Sequence, residues 1–249
     1  MSLRWKDYFD IQLRFADRLA RLGGIDPVQA VTFYTNLHRR FGFGRIIDGR
    51  TAEGWRSYVE QLIELRSLEE RVAWTQRFYI GAHEEVPPDG ERQFGCFGYD
   101  PPNREGQVRI HFGNLDSQNE SGPLHHSNID RRLAELRRMF THVRRNHTDA
   151  VSVLGKSWLY HLPAYRRLFP GGYGESRVIL TAGHRFDGMS SWGQFLDHKA
   201  TVKPEIRDAF LDNLPRLDPD HPYLVFHYPV LRAEADIAGF YEMYGICHS

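Results

Sequence analysis

The chain has 249 residues, 41% of them apolar and 13% aromatic, which is enough to bury a sizeable core and excludes a disordered or low-complexity protein. Its 32 basic residues balance 32 acidic ones, so the net charge argues against a dedicated nucleic-acid or membrane-surface protein. Two cysteines, Cys96 and Cys247, are too few for a disulfide framework and lack the spacing of a zinc knuckle.

Residues 1–85 read as a helical domain or cap. Trp5, Phe9, Leu13, Ala16, Leu19 and Leu22 recur at helical steps until Gly23-Gly24. Asp26-Pro27 supplies a cap and a first-turn proline for the next helix. A third helix is expected from Thr51, and a fourth from Ser67, where Ser67 and Glu70 have capping-box spacing. No uninterrupted apolar run suggests a secretory signal or a membrane span, so a cytoplasmic location is expected.

Glu84 to Glu91, with two prolines and a glycine, is the expected domain boundary. Beyond it, residues 92–249 read as an α/β domain. Phe94–Tyr99 and Gln107–Phe112 form an expected antiparallel hairpin. Helices at Ile129–Val143, Leu162–Phe169, after Pro204 and at Ile237–Tyr244 then alternate with strands at Ala150–Leu154, Arg177–Ala182 and Tyr223–Tyr228. That order predicts a mostly parallel sheet covered by helices, with the last three strands mutually parallel.

Several residues carry candidate chemistry. Ala150-Val-Ser-Val-Leu-Gly-Lys-Ser157 satisfies a relaxed phosphate-loop pattern, but Val, Ser, Val and Leu belong in a strand, where successive amides do not cradle phosphates. What survives is Gly155 ending the strand, with Lys156 and Ser157 beyond it as anion contacts. Arg109 and His111, two apart on a strand, share one face. The run Arg109-Ile-His-Phe-Gly113, with Gly122-Pro-Leu124 and the arginine-bearing helix after it, resembles histidine phosphatases in outline. It departs from them where Ile110 separates the Arg from the His and Phe112 separates the His from the Gly. The helix carrying Arg131, Arg132, Arg137, Arg138, Arg144 and Arg145 reads as a solvated face. The thirteen histidines show no helical metal-ligand spacing, so no metal site is expected and no cofactor is identified.

In a parallel sheet, four strand ends would deliver Arg109 and His111; Lys156, Ser157 and Tyr160; His184 and Arg185; and His227 to one edge. The expected function is a pocket for a small phosphate- or carboxylate-bearing molecule. Arg109, Lys156, Ser157, Tyr160, Arg185 and His227 would bind, and His111 or His184 would serve as acid or base of a histidine-based hydrolase or transferase. A non-catalytic ligand-binding or protein-interaction module is the alternative, and nothing in the sequence speaks to oligomeric state. The strings Ser157-Trp-Leu-Tyr160, Ala164-Tyr-Arg-Arg-Leu-Phe-Pro170 and Trp192-Gly-Gln-Phe-Leu-Asp197 resemble an uncharacterised bacterial family, a likeness that brings no activity with it.

Overall fold

The computed structural model describes residues 5–44, 46, 49–82, 92–116, 120–181 and 185–246. The chain forms two compact units, Met1–Val86 with Thr181–Pro229, and Pro87–Leu180 with Val230–Ser249. The expected boundary segment Glu84 to Glu91 lies outside the described residues.

The first unit is helical among its described residues. Helix α1 (Lys6–Gly23) ends at Gly24, whose left-handed φ of 61° suits a residue without a Cβ. Helix α2 (Pro27–Tyr34) starts where the Asp26 carboxylate accepts from the Gln29 amide. The short α3 (Leu37–Arg40), unanticipated, is followed by α4 (Glu53–Glu64), which starts two residues later than expected, and α5 (Leu68–Ala82). The capping box before α5 is present: Ser67 Oγ accepts from the Glu70 amide at 3.1 Å, and the Glu70 carboxylate accepts from the Ser67 amide at 2.9 Å.

That carboxylate is held below its ordinary pKa, first by the Ser67 amide and then by the Ser67 side chain. A carboxylate with a depressed folded-state pKa contributes stability that is complete above the unfolded value, near 4.5, and is lost as pH falls through the folded value. Replacing Glu70→Gln is therefore expected to lower the unfolding midpoint at neutral pH, with the gap from the parent closing as pH drops below 4.5. Thermal melts of both proteins between pH 7 and pH 3 check this.

Residues 181–229, expected to belong to the α/β domain, pack instead with the helices. Phe15 of α1 meets Phe186, Trp192, Phe210 and Phe226 at centroid distances of 5.3–5.9 Å. Arg18 donates to the Pro215 carbonyl at 2.6 Å, and Arg207 pairs with Asp7 at 2.7 Å. This segment carries α9 (Met189–Trp192) and α10 (Pro204–Asn213). The physical reason for the regrouping is aromatic: Phe186, Trp192, Phe210 and Phe226 are buried around Phe15 of α1.

The second unit holds a six-stranded mixed sheet of order β1-β2-β3-β4-β6-β5. Its strands are β1 (Gln93–Phe94), β2 (Phe97–Asp100), β3 (Gln107–Phe112), β4 (Ser152–Ser157), β5 (Val178–Ile179) and β6 (Leu231–Asp236). The hairpin β2–β3 is antiparallel as expected, and β3 and β4, joined through α6 (Ile129–Asn146), are parallel. A mostly parallel sheet is not what forms, because β6 runs antiparallel to both β4 and β5.

The expected strand at Tyr223–Tyr228 is also absent, and Pro222–Val225 is a 3-10 turn of the first unit. Pro222 sets the helical φ there, and the strand comes later, in Leu231-Arg-Ala-Glu-Ala-Asp236, where apolar and charged residues alternate. Of the strand expected at Arg177–Ala182, only Val178 and Ile179 pair, and Ala182 lies outside the described residues. Helices α7 (Pro163–Arg166), α8 (Gly171–Glu175) and α11 (Ile237–Met243) complete the unit.

One sheet face is apolar: Phe97, Tyr99, Val108, Ile110, Val153, Leu231 and Ala233 share a core with Leu136, Met139, Phe140 and Val143 of α6 and with Phe240 of α11. No helix among the described residues is long and apolar enough to cross a membrane.

Candidate functional site

The opposite face of the same sheet is polar. Side chains alternate along a strand, so Gln107, Arg109 and His111 of β3 stand on one face, level with Ser152 and Leu154 of β4 and, across β4, with Asp236 and Glu234 of β6. Lys156 and Arg232 pair directly across β4 and β6 on that face. Asp100 of β2 lies opposite Arg109. All of this strip but the exposed Asp236 is half-buried, which leaves it screened from water without closing it off.

Three contacts order the strip. The His111 Nε2 meets the Asp100 carboxylate at 2.8 Å, which fixes the orientation of the imidazole. The Glu234 carboxylate accepts from Gln107 and from Arg232, and Ser152 donates to it at 3.4 Å. Lys156 has a different environment. Burial lowers its pKa, and the charges of Arg109 and Arg232 lower it further. Among the described residues the Lys156 ammonium has no acidic partner, and the charges that shift its pKa are the like charges of Arg109 and Arg232.

The structure brings together only part of the expected site. Arg109, His111 and Lys156 share the polar face, His111 and Lys156 each one residue before the C-terminal end of its strand. Ser157 points to the other side, where its Oγ accepts from the Leu159 amide at 3.1 Å and caps the 3-10 turn Trp158–His161. Tyr160 is fully buried there and hydrogen-bonded to the Tyr173 hydroxyl. Gly155 does not end the strand. It sits inside β4, because a Cβ there would overlap both of those hydroxyls. Arg185 belongs to the first unit, where its guanidinium lies 5.0 Å from the Phe33 ring centroid beside a shallow hollow of about 300 Å3 lined also by Ile25, Gln29 and Tyr34. His227, exposed and in edge contact with Tyr228, is likewise in the first unit. His184 lies outside the described residues.

Sequence reasoning missed Asp100, Arg232 and Glu234. The signal was present in the alternation from Leu231 to Asp236, but two alanines make a weak strand signature. The arginine-rich helix was also misread at its core: Arg132 is 1% exposed and bound to Asp116 and Glu135, while Arg144 donates to the Ile246 carbonyl. No family model, curated protein or solved structure matches this chain. The functional reading therefore stands on the geometry alone.

Proposed function

We propose that the polar face of the sheet binds a small phosphate- or carboxylate-bearing molecule, with Lys156 at the centre of the site and Arg109 and Arg232 beside it. The observation that carries this reading is Lys156 itself, a half-buried ammonium set between two guanidiniums with no acid of its own. An anionic oxygen at that point receives charge-assisted hydrogen bonds, each contributing about 1.5–3 kcal/mol. A histidine-based acid–base step at the same site is a second reading, supported by the His111–Asp100 pair, in which the carboxylate orients the ring that would take up and release a proton.

Thermal shift with inorganic phosphate and citrate tests the binding. The parent is expected to gain melting temperature with ligand concentration, and Lys156→Ala and Arg109→Ala to need about 10- to 100-fold more ligand for the same shift. If both folded variants respond like the parent, the anion site is not here. His111→Ala would leave the binding largely in place and abolish any turnover of phosphomonoesters or carboxylic esters; a variant as active as the parent rules out the acid–base reading.

A further inference from the structure

On the helix-covered side of the same unit, the polar atoms of three side chains meet at a point outside the anion site. Tyr99 of β2, 3% exposed, directs its hydroxyl between two imidazoles: His142 Nδ1 stands 2.8 Å from it and His147 Nε2 stands 3.1 Å from it. His142 lies in the last turns of α6 and His147 is the residue that caps it, five positions later, so the helix end places both rings over one strand residue. The rings touch the phenol, with centroids 5.9 and 5.6 Å from it, and Phe94 packs against His142 at 5.3 Å. Both histidines are half-buried, which leaves a route from solvent.

We propose that Tyr99 Oη, His142 Nδ1 and His147 Nε2 form a binding site for a divalent transition ion that favours imidazole ligands, zinc or copper(II). Donor atoms about 2.0–2.1 Å from such an ion, at angles of 90–110° to one another, stand about 2.8–3.4 Å apart. The two nitrogen-to-oxygen separations here, 2.8 and 3.1 Å, fall in that range. A single hydroxyl proton satisfies only one of the two imidazoles as a donor, so in the metal-free protein one ring accepts from the phenol and the other donates to it.

Metal binding asks for a lone pair on all three atoms. The donating ring moves its hydrogen to its other nitrogen, the phenol loses its proton to solvent, and one proton leaves for each ion bound when both rings start neutral. Three protein ligands leave a further coordination position for water. Among the described residues no group of three or more His, Cys, Asp or Glu is arranged to hold a metal ion, and this cluster differs in drawing its third ligand from tyrosine.

Equilibrium dialysis of the whole protein against zinc chloride, followed by metal analysis, tests the proposal. The parent is expected to retain one ion per chain with an affinity that falls at least 10-fold in each of His142→Ala, His147→Gln and Tyr99→Phe. With copper(II), the parent is expected to show a phenolate-to-copper absorption band that Tyr99→Phe removes while the half-exposed histidine variants remain folded. Retention of less than a tenth of an equivalent by the parent overturns the site. So does equal retention by the parent and the folded histidine variants, which would place the ion on other surface histidines such as His125 and His126.

Discussion

Replacing Gly155→Ala is expected to destabilise the second unit by about 3 kcal/mol or more, the upper end of what overpacking a filled core costs. Gly155 sits in the middle of β4, and a Cβ placed on it would overlap the hydroxyls of both Tyr160 and Tyr173. Neither ring can retreat. Tyr160 is 1% exposed and Tyr173 is fully buried, each is packed against Phe169, and the two hydroxyls bond to each other. Burial drives both phenols well above their ordinary pKa, so they stay neutral and the pair cannot escape by ionising. A melting temperature lower by about 10 °C or more should follow. Adding Tyr160→Phe to the alanine variant removes one of the overlapping atoms and should recover part of the loss, so that the two substitutions are clearly non-additive. An alanine variant that melts within a degree or two of the parent would show that the strand does not pack as described.

The second large effect is expected at Arg132. Its guanidinium is buried, donates to Cys96 Sγ, and holds Asp116 at 2.5 Å and Glu135 at 3.0 Å. Glu135 in turn accepts from the Cys96 amide at 3.0 Å, across a turn made possible by Gly95, whose φ is +66° and whose Cβ would overlap the carboxylate. Removing one partner of a buried ion pair leaves an uncompensated charge, which costs about 3–5 kcal/mol. Arg132→Ala is therefore expected to lose most of that range, softened by Arg131, which stays 2.9 Å from Asp116.

Burial already pushes Glu135 above its ordinary pKa. Without Arg132 it rises further, and a group whose folded-state pKa is raised favours folding at low pH and loses that contribution as pH rises through the folded value. The deficit of the variant should thus shrink on acidification from pH 7 toward pH 5. Urea unfolding at several pH values measures it; a deficit below 1 kcal/mol at pH 7 would contradict the buried network.

Much of this fold was legible in the sequence, for identifiable reasons. The helical stripe from Trp5, the caps at Asp26 and Ser67, the β2–β3 hairpin and the parallel β3–α6–β4 unit all rest on local spacing, and local spacing is what a sequence displays. Trp192 and Gln194 have polar groups that need partners when buried, and both find them. The Trp192 indole donates to the Phe186 carbonyl at 2.6 Å, and the Gln194 amide bonds the Tyr228 backbone in both directions, so both act as clamps within the first unit. What failed was long-range. Nothing local distinguishes a strand bound for a parallel neighbour from one that returns antiparallel, as β6 does. Nor does the sequence announce that 181–229 leaves the sheet for the helices.

Those two facts decide the site. They assign Arg185 and His227 to the first unit and Arg109, His111 and Lys156 to the second, and they bring in Arg232 and Glu234, which no motif marked. Placing Lys156 one residue past the end of a strand rather than inside it also turned a sheet-face residue into an apparent loop residue. The error traces to Gly155, whose usual role as a strand terminator gives way here to a steric one.

The most direct test of the anion site is calorimetric titration of citrate and phosphate into the parent, Lys156→Ala and, as a control, Lys199→Ala, an exposed lysine of the first unit. One-site binding to the parent that weakens with added salt, survives in the Lys199 variant and drops about 10-fold or more in the Lys156 variant is the predicted result. Equal affinity in all three folded proteins, or no binding heat at millimolar ligand in any of them, would contradict it.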